Sequence, residues 1–289
     1  MRVAVASGKG GTGKTMVSAS LTAVWDGPVT AVDLDVEEPN LHLFLHPIVE
    51  ETRTAHLEVP VVDETRCTYC RECAELCQYK AIAVLGEVVM TFPEMCHGCG
   101  GCFAVCPENA ISAGSRPLGE VVRGKAGTAG FWMGRLRVGE AMSPPLMREV
   151  LRDLDAAAPE GDVIIDAPPG VSCPAVSAVI ESDVIVLVTE PTPFGTFDLR
   201  LAYKAFLPLN KPMGVVVNRS GLGDEEVYRF CKESGLPILC EIPFERSIAE
   251  VYAEGQIVSV QLPEIQPLFR KLRRAVHALA RTGKEAAHA

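Results

Sequence analysis

Arg2-Val3-Ala4-Val5-Ala6-Ser7-Gly8-Lys9-Gly10-Gly11-Thr12-Gly13-Lys14-Thr15 is the stretch whose reading decides the fold. An apolar run of strand length, Val3 to Ala6, breaks into a loop that fits G-x-x-x-x-G-K-[ST]. A helical pattern follows from Lys14 to about Trp25. Such a loop turns backbone N–H groups onto phosphate oxygens, and the helix N-terminus adds positive potential. Gly8, Gly10, Gly11, Thr12 and Gly13 are therefore candidate phosphate-binding residues. Lys14 is expected to reach the β- and γ-phosphates, and the Thr15 hydroxyl to ligate Mg²⁺.

Outward from this loop the chain repeats the same grammar. Val29 to Asp35, Gly161 to Asp166, Val184 to Thr189, Met213 to Asn218 and Pro237 to Ile242 read as buried strands. Helical patterns fall near 174–182, 194–207, 223–234, 245–254 and 264–281. Near-continuous apolar strands alternating with helices imply a parallel sheet covered on both faces. Ligands then bind at the carboxyl ends of the strands. Asp166 closes one strand there and is a candidate Mg²⁺ ligand.

Between the first two strands and the rest lies a doubled cysteine pattern. Cys67-x-x-Cys70-x-x-Cys73-x-x-x-Cys77 recurs 29 residues on as Cys96-x-x-Cys99-x-x-Cys102-x-x-x-Cys106-Pro107. Ala81-Ile82 recurs as Ala110-Ile111, so the unit repeated is larger than the ligand pattern. Zinc would leave the third cysteine of each run surplus, and disulfides need an oxidising compartment. Three closely spaced thiolates wrap one corner of a cubane, while the fourth is expected to start a helix and ligate the other cluster. One [4Fe–4S] cluster then takes Cys67, Cys70, Cys73 and Cys106. The other takes Cys77, Cys96, Cys99 and Cys102. Gly98, Gly100 and Gly101 are expected to let the second loop close tightly. Residues 59 to 114 resemble the bacterial two-cluster ferredoxins, with Gln78 where that family usually has proline.

Lys9 makes the phosphate loop more specific. Lys9-Gly10-Gly11-Thr12-Gly13-Lys14-Thr15 resembles the deviant Walker A loop of the MinD, Mrp and nitrogenase-iron-protein group of ATPases. That resemblance implies a homodimer formed on ATP, in which Lys9 reaches nucleotide held by the other copy. Asp33-Leu34-Asp35-Val36-Glu37-Glu38-Pro39-Asn40 is similar to switch I of the group, and Asp166-Ala167-Pro168-Pro169-Gly170 to its switch II. By that match Asp35 orients or deprotonates the attacking water, and Asp33 supports the magnesium shell. Asn218 is implied as the adenine-contacting residue. The implied fold is α/β, a mostly parallel doubly wound P-loop sheet with an inserted small α+β ferredoxin-like domain. Its expected bounds are 1–58 and 115–289 for the ATPase and 59–114 for the insert.

The implied function is an Mg²⁺-dependent ATPase that couples nucleotide state to two [4Fe–4S] clusters. The task would be electron transfer, or assembly and delivery of a metallocluster to a client protein. A MinD-like spatial regulator with a cluster-stabilised docking module is the alternative.

Composition is consistent with a cytoplasmic protein. Met1 leads directly into the first strand, so no signal segment is expected. No apolar run approaches the ~20 residues of a membrane span. A formal charge of -10 argues against nucleic acid as partner. The remaining cysteines, Cys173, Cys231 and Cys240, are expected to be small buried hydrophobes. Val121 to Arg123 and Arg135 to Val138 suggest a hairpin, and Phe131-Trp132-Met133 either packs the insert onto the ATPase or is plain core. Leu268, Phe269, Leu272, Val276 and Leu279 form an apolar stripe expected to pack on the sheet.

Overall fold

The computed structural model describes residues 1–287, with side chains through residue 282. Eleven strands are described: β1 (Arg2–Ala6), β2 (Val29–Asp33), β3 (Ile48–Val62), β4 (Ile82–Leu85), β5 (Val88–Thr91), β6 (Ile111–Ala126), β7 (Ala129–Leu136), β8 (Asp162–Asp166), β9 (Val184–Thr189), β10 (Met213–Ser220) and β11 (Ile238–Pro243). Nine of them form one sheet in the order β11-β10-β9-β1-β8-β2-β7-β6-β3. Pairing is parallel from β11 to β7 and antiparallel at β6 and β3.

The central strands alternate between two cores, as a pleated strand must. Ala4 and Ala6 of β1 face one side, Val3 and Val5 the other. On the first side lie α5 (Ser143–Ala157), α6 (Cys173–Ile180), α7 (Pro193–Phe206) and α8 (Glu226–Glu233); these follow α1 (Lys14–Ala23), α2 (His42–Leu45), α3 (Glu72–Leu76) and α4 (Gly101–Val105) in the chain. The second side is covered by α1 together with α9 (Arg246–Ala253), α10 (Val258–Gln261) and α11 (Gln266–Ala287). In α11, Phe269, Leu272 and Val276 are fully buried, so the apolar stripe is core. Among the described residues no helix is long and apolar enough to cross a membrane.

The main departure from expectation is the length of β3 and β6. They pair antiparallel from Ile48↔Lys125 to Val62↔Ile111 and carry the whole cysteine segment at their far end. Residues 58 and 114 both fall inside this ribbon, so the sheet and the cysteine segment share continuous strands. Most of β3 is exposed, with Glu50, Glu51, Arg53 and Glu58 among its apolar residues, and only Ala55, Leu57, Val59 and Pro60 are buried. A charged edge strand protects against stray pairing, and the same charges hide it from a hydrophobic reading. β6 and β7 do form a hairpin, but its register sets Arg123 opposite Trp132. Phe131-Trp132-Met133 pair with Ala31, Val32 and Asp33 of β2. They are plain core of the large sheet and do not dock the cysteine segment.

Candidate nucleotide and cluster sites

At the carboxyl end of β1 the chain turns into the loop that opens α1. Gly13 takes φ 92°, and a Cβ there would lie 2.3 Å from Asn218 Nδ2. Only glycine therefore fits both the turn and its neighbour. Asp166, at the end of the adjacent β8, gathers three groups. Its Oδ1 accepts from Lys14 Nζ at 2.7 Å and Ser18 Oγ at 2.9 Å, and its Oδ2 from Thr15 Oγ1 at 2.7 Å. Burial alone would lower the Lys14 pKa, but Asp166 and then Asp33 and Asp35 hold the ammonium above its usual range. The Thr12 hydroxyl is buried with no partner among the described residues.

A cavity of about 390 Å³ opens over this loop, lined by Lys14, Thr15, Asp35, Asn218 and Pro169 among others. Its far wall is apolar, with Phe244, Ile248 and Tyr252. Size, a phosphate-binding end and an apolar end suit a nucleotide. Asn218 is buried at the cavity edge, where its amide donates to Thr12 O at 2.8 Å and accepts from the Arg219 N–H at 2.9 Å.

Asp33 and Asp35 occupy different places. Asp33 is fully buried, and its oxygens accept the N–H groups of Asp35 at 3.0 Å and Leu41 at 2.9 Å. Burial and then Asp166 hold its carboxyl well above the usual range, against those two bonds. Asp35 lines the cavity. Burial, opposed by Lys14 and reinforced by Asp166, pushes its carboxyl up to about 6.

That elevation has a sign. With a folded pKa above the reference value of 3.8, ionised Asp35 opposes folding fully above about pH 6 and not below 3.8. Asp35→Asn is expected to stabilise the nucleotide-free chain at pH 7 by about 1–3 kcal/mol. The gain should shrink as pH falls from about 6 toward 4. Urea unfolding across that window checks it, and a gain independent of pH would refute the cause.

Lys9 lies on Glu190 of its own chain, Nζ to Oε1 at 2.7 Å. Glu190 also accepts from Arg219 Nη1 at 2.7 Å. Neither Glu190 nor Arg219 was flagged as a site residue from sequence, although Glu190 ends an apolar strand in the same way as Asp166.

Across the ribbon the two cysteine runs fold alike. Tyr69 and Arg71 have φ of 56° and 72°, and Gly98 and Gly100, their counterparts, 63° and 73°. The first run thus holds the left-handed turns without glycine, at a conformational cost that concentrates at functional sites. The N–H groups of Tyr69 and Gly98 point to Cys67 and Cys96 Sγ, each at 3.4 Å. Those of Ala81 and Ala110 point to Cys77 and Cys106 Sγ at 3.3 and 3.2 Å. Donors of this kind stabilise thiolates.

The fourth cysteines do not start helices. α3 ends at Leu76 and α4 at Val105, so Cys77 and Cys106 follow the last turn. Each short helix carries its fourth thiol away from its own loop. One cavity is lined by Cys67, Cys70, Cys73 and Cys106. A second is lined by Cys77, Cys96, Cys99 and Cys102, with Cys73 at the border and Tyr79 stacked on His97 in its wall. Among the described residues no three His, Cys, Asp or Glu side chains converge on a single metal ion. Cubane ligands each meet a different iron, so their sulfurs stand apart. Burial pushes the Cys73 thiol up, with Cys70 and Cys106 adding to the rise. Cys231 and Cys240 are buried as expected, but Cys173 is exposed beside switch II, because it opens α6 at the surface.

A family model described as the CobQ/CobB/MinD/ParA nucleotide binding domain matches residues 3–258. An uncharacterized protein of Methanocaldococcus jannaschii is 30% identical over 266 residues, covering 89% of this chain and 90% of that one. Hydrogenase-4 component A of Escherichia coli is 37% identical over 76 residues, 25% of this chain and 35% of that protein. Among solved structures, the septum site-determining protein MinD of Pyrococcus horikoshii, complexed with Mg-ADP, shares the fold. It gives a TM-score of 0.58 at 21% identity, over 98% of each chain.

Proposed function

The chain belongs to the CobQ/CobB/MinD/ParA nucleotide-binding family, and from that membership we propose a cytoplasmic, Mg²⁺-dependent ATPase whose nucleotide state governs two [4Fe–4S] clusters. The observation that carries this reading is the crossing of the cysteine runs, each cavity taking its fourth thiol from the other run. Three features support the ATPase half: the phosphate loop, the Lys14–Asp166 pair and the apolar far wall.

In the proposed reaction the N–H groups of the loop from Gly8 to Gly13 hold the phosphates. Lys14 leaves Asp166 for the β- and γ-phosphate oxygens. Thr15 and Asp166 would hold Mg²⁺, which balances charge between the phosphates. Asp33 shapes switch I through its two backbone bonds. Asp35 orients the attacking water and takes its proton, a task suited to a carboxyl pKa raised toward neutrality. Lys9 exchanges Glu190 for nucleotide on a second copy of the chain, so ATP favours a homodimer. Asn218 and the Phe244 wall receive the adenine.

Clusters at the two cysteine cavities would supply one-electron chemistry. The proposed use is electron transfer to a client protein, or delivery of a metallocluster. The similarity to a hydrogenase component favours the first. A spatial-regulator role rests on the likeness of fold to MinD.

Coupled sites shift each other by typically 1–3 kcal/mol, which for a one-electron couple is roughly 40–130 mV. A redox titration with and without a non-hydrolysable ATP analogue is expected to show such a shift. Release of iron to a chelator is measured on the same samples, and faster release would favour delivery. No change in either measurement would exclude coupling.

A further inference from the structure

Residues 136–143, between β7 and α5, touch both switch I and the second cysteine run. On the switch side, the Leu136 N–H donates to Val36 O at 2.9 Å, and Ser143 Oγ donates to Glu37 Oε1 at 2.7 Å. On the other side, Glu140 pairs with the Arg116 guanidinium, and Arg137 Nη2 donates to Glu94 Oε2 at 2.9 Å. Arg116 Nε donates to Pro93 O at 2.8 Å. That same carbonyl accepts the N–H of Cys96 at 3.1 Å. A short set of bonds therefore joins Val36 and Glu37 to the backbone of Cys96 in the second run.

The central pair is nearly sealed, with the Arg116 and Glu140 side chains 7% and 2% exposed. A buried ion pair is weak evidence for stability but is well suited to fixing position. Glu140 also accepts the N–H groups of Ala141 and Met142 at 3.1 and 3.0 Å, so the carboxylate moves with its loop. Among the described residues the first cysteine run has no counterpart. Arg66 donates to Glu108 O at 2.8 Å, and Asp63 accepts from Thr65; both bonds stay within the cysteine segment and its base.

We propose that Arg116 and Glu140 are positioning residues that transmit switch I movement to the Cys96 loop. Nucleotide then acts on the cavity of Cys77, Cys96, Cys99 and Cys102 and leaves that of Cys67, Cys70, Cys73 and Cys106 unaffected. This rests on the ATP and cluster reading above. The asymmetry comes from connectivity alone, since the two runs are alike in backbone.

Hydrogen exchange on the cluster-loaded full chain, with and without the Mg²⁺-bound ATP analogue, tests it. Amides of 94–101 are expected to change their opening equilibrium by about fivefold or more, while those of 64–72 stay unchanged. Two variants cut the path at different points. Ser143→Ala removes one hydroxyl, and Arg116→Gln with Glu140→Gln removes both charges together, so that no buried charge is left unpaired. Each is expected to cut the response at 94–101 by about half or more and keep the response at 34–36, the Leu136–Val36 and Arg137–Glu94 bonds carrying the remainder. Equal responses in both runs, or an undiminished 94–101 response in either variant, would overturn the relay. Iron, sulfide and analogue affinity measured on the same wild-type sample judge the underlying reading separately; its failure there removes the relay with it.

Discussion

Protein purified without oxygen is expected to hold about eight irons and about eight acid-labile sulfides per chain, and Cys106→Ser to lose about half of both. The loss should come from the cavity of Cys67, Cys70 and Cys73, although Cys106 lies only four residues from Cys102 in sequence. Pairs of substitutions make the assignment sharp. Cys106→Ser with Cys67→Ser should lose no more iron than either alone, because both ligands serve one cluster. Cys106→Ser with Cys96→Ser should lose nearly all of it. The opposite pattern would mean that each run holds its own cluster. Stoichiometric zinc without sulfide would end the iron–sulfur reading altogether.

Lys14→Ala is expected to abolish nucleotide binding. Lys14 is one of the few buried cations of the chain and is bonded to a carboxylate that is itself 1% exposed. Removing the ammonium that would face the β- and γ-phosphates takes away one partner of a charge pair across the bound interface, which costs about 2–5 kcal/mol, roughly 30- to 4000-fold in affinity. The free chain is affected as well. Asp166 keeps the Thr15 and Ser18 hydroxyls, but its charge loses the Lys14 ammonium, so the variant should also unfold at lower denaturant. Calorimetric titration with Mg-ATP and urea unfolding separate the two effects. Wild-type affinity in a folded Lys14→Ala variant would remove the phosphate-loop assignment.

How much was legible from sequence follows the physics of each region. β1, β8, β9 and β10 are buried on both faces, so their apolar runs announced a parallel sheet without any knowledge of neighbours. The phosphate loop was equally plain, because its chemistry is carried by consecutive residues. The cysteine runs declared their spacing and their repeat. β3 stayed hidden because Glu50, Glu51, Arg53 and Glu58, charges suited to an edge strand, break up its apolar residues. Phe131-Trp132-Met133 could be read as core or as docking surface until β7 was seen paired to β2.

By itself, then, the sequence determined the local chemistry: the phosphate loop, the aspartates ending β2 and β8, and two thiol runs of one design. Contacts between distant residues were decided by the tertiary structure. Lys9 meets Glu190 181 positions away, and Ser143 meets Glu37 across 106. The place of Asp35 in the cavity and of Asp33 beneath it was settled by how switch I folds back on Leu41. The continuous β3–β6 ribbon, and the bonds that lead from Val36 and Glu37 to Cys96, belong to the same class. The reason is that a motif is written by residues adjacent in the chain, whereas a side-chain pair depends on sheet order and strand register, which neighbouring residues do not encode.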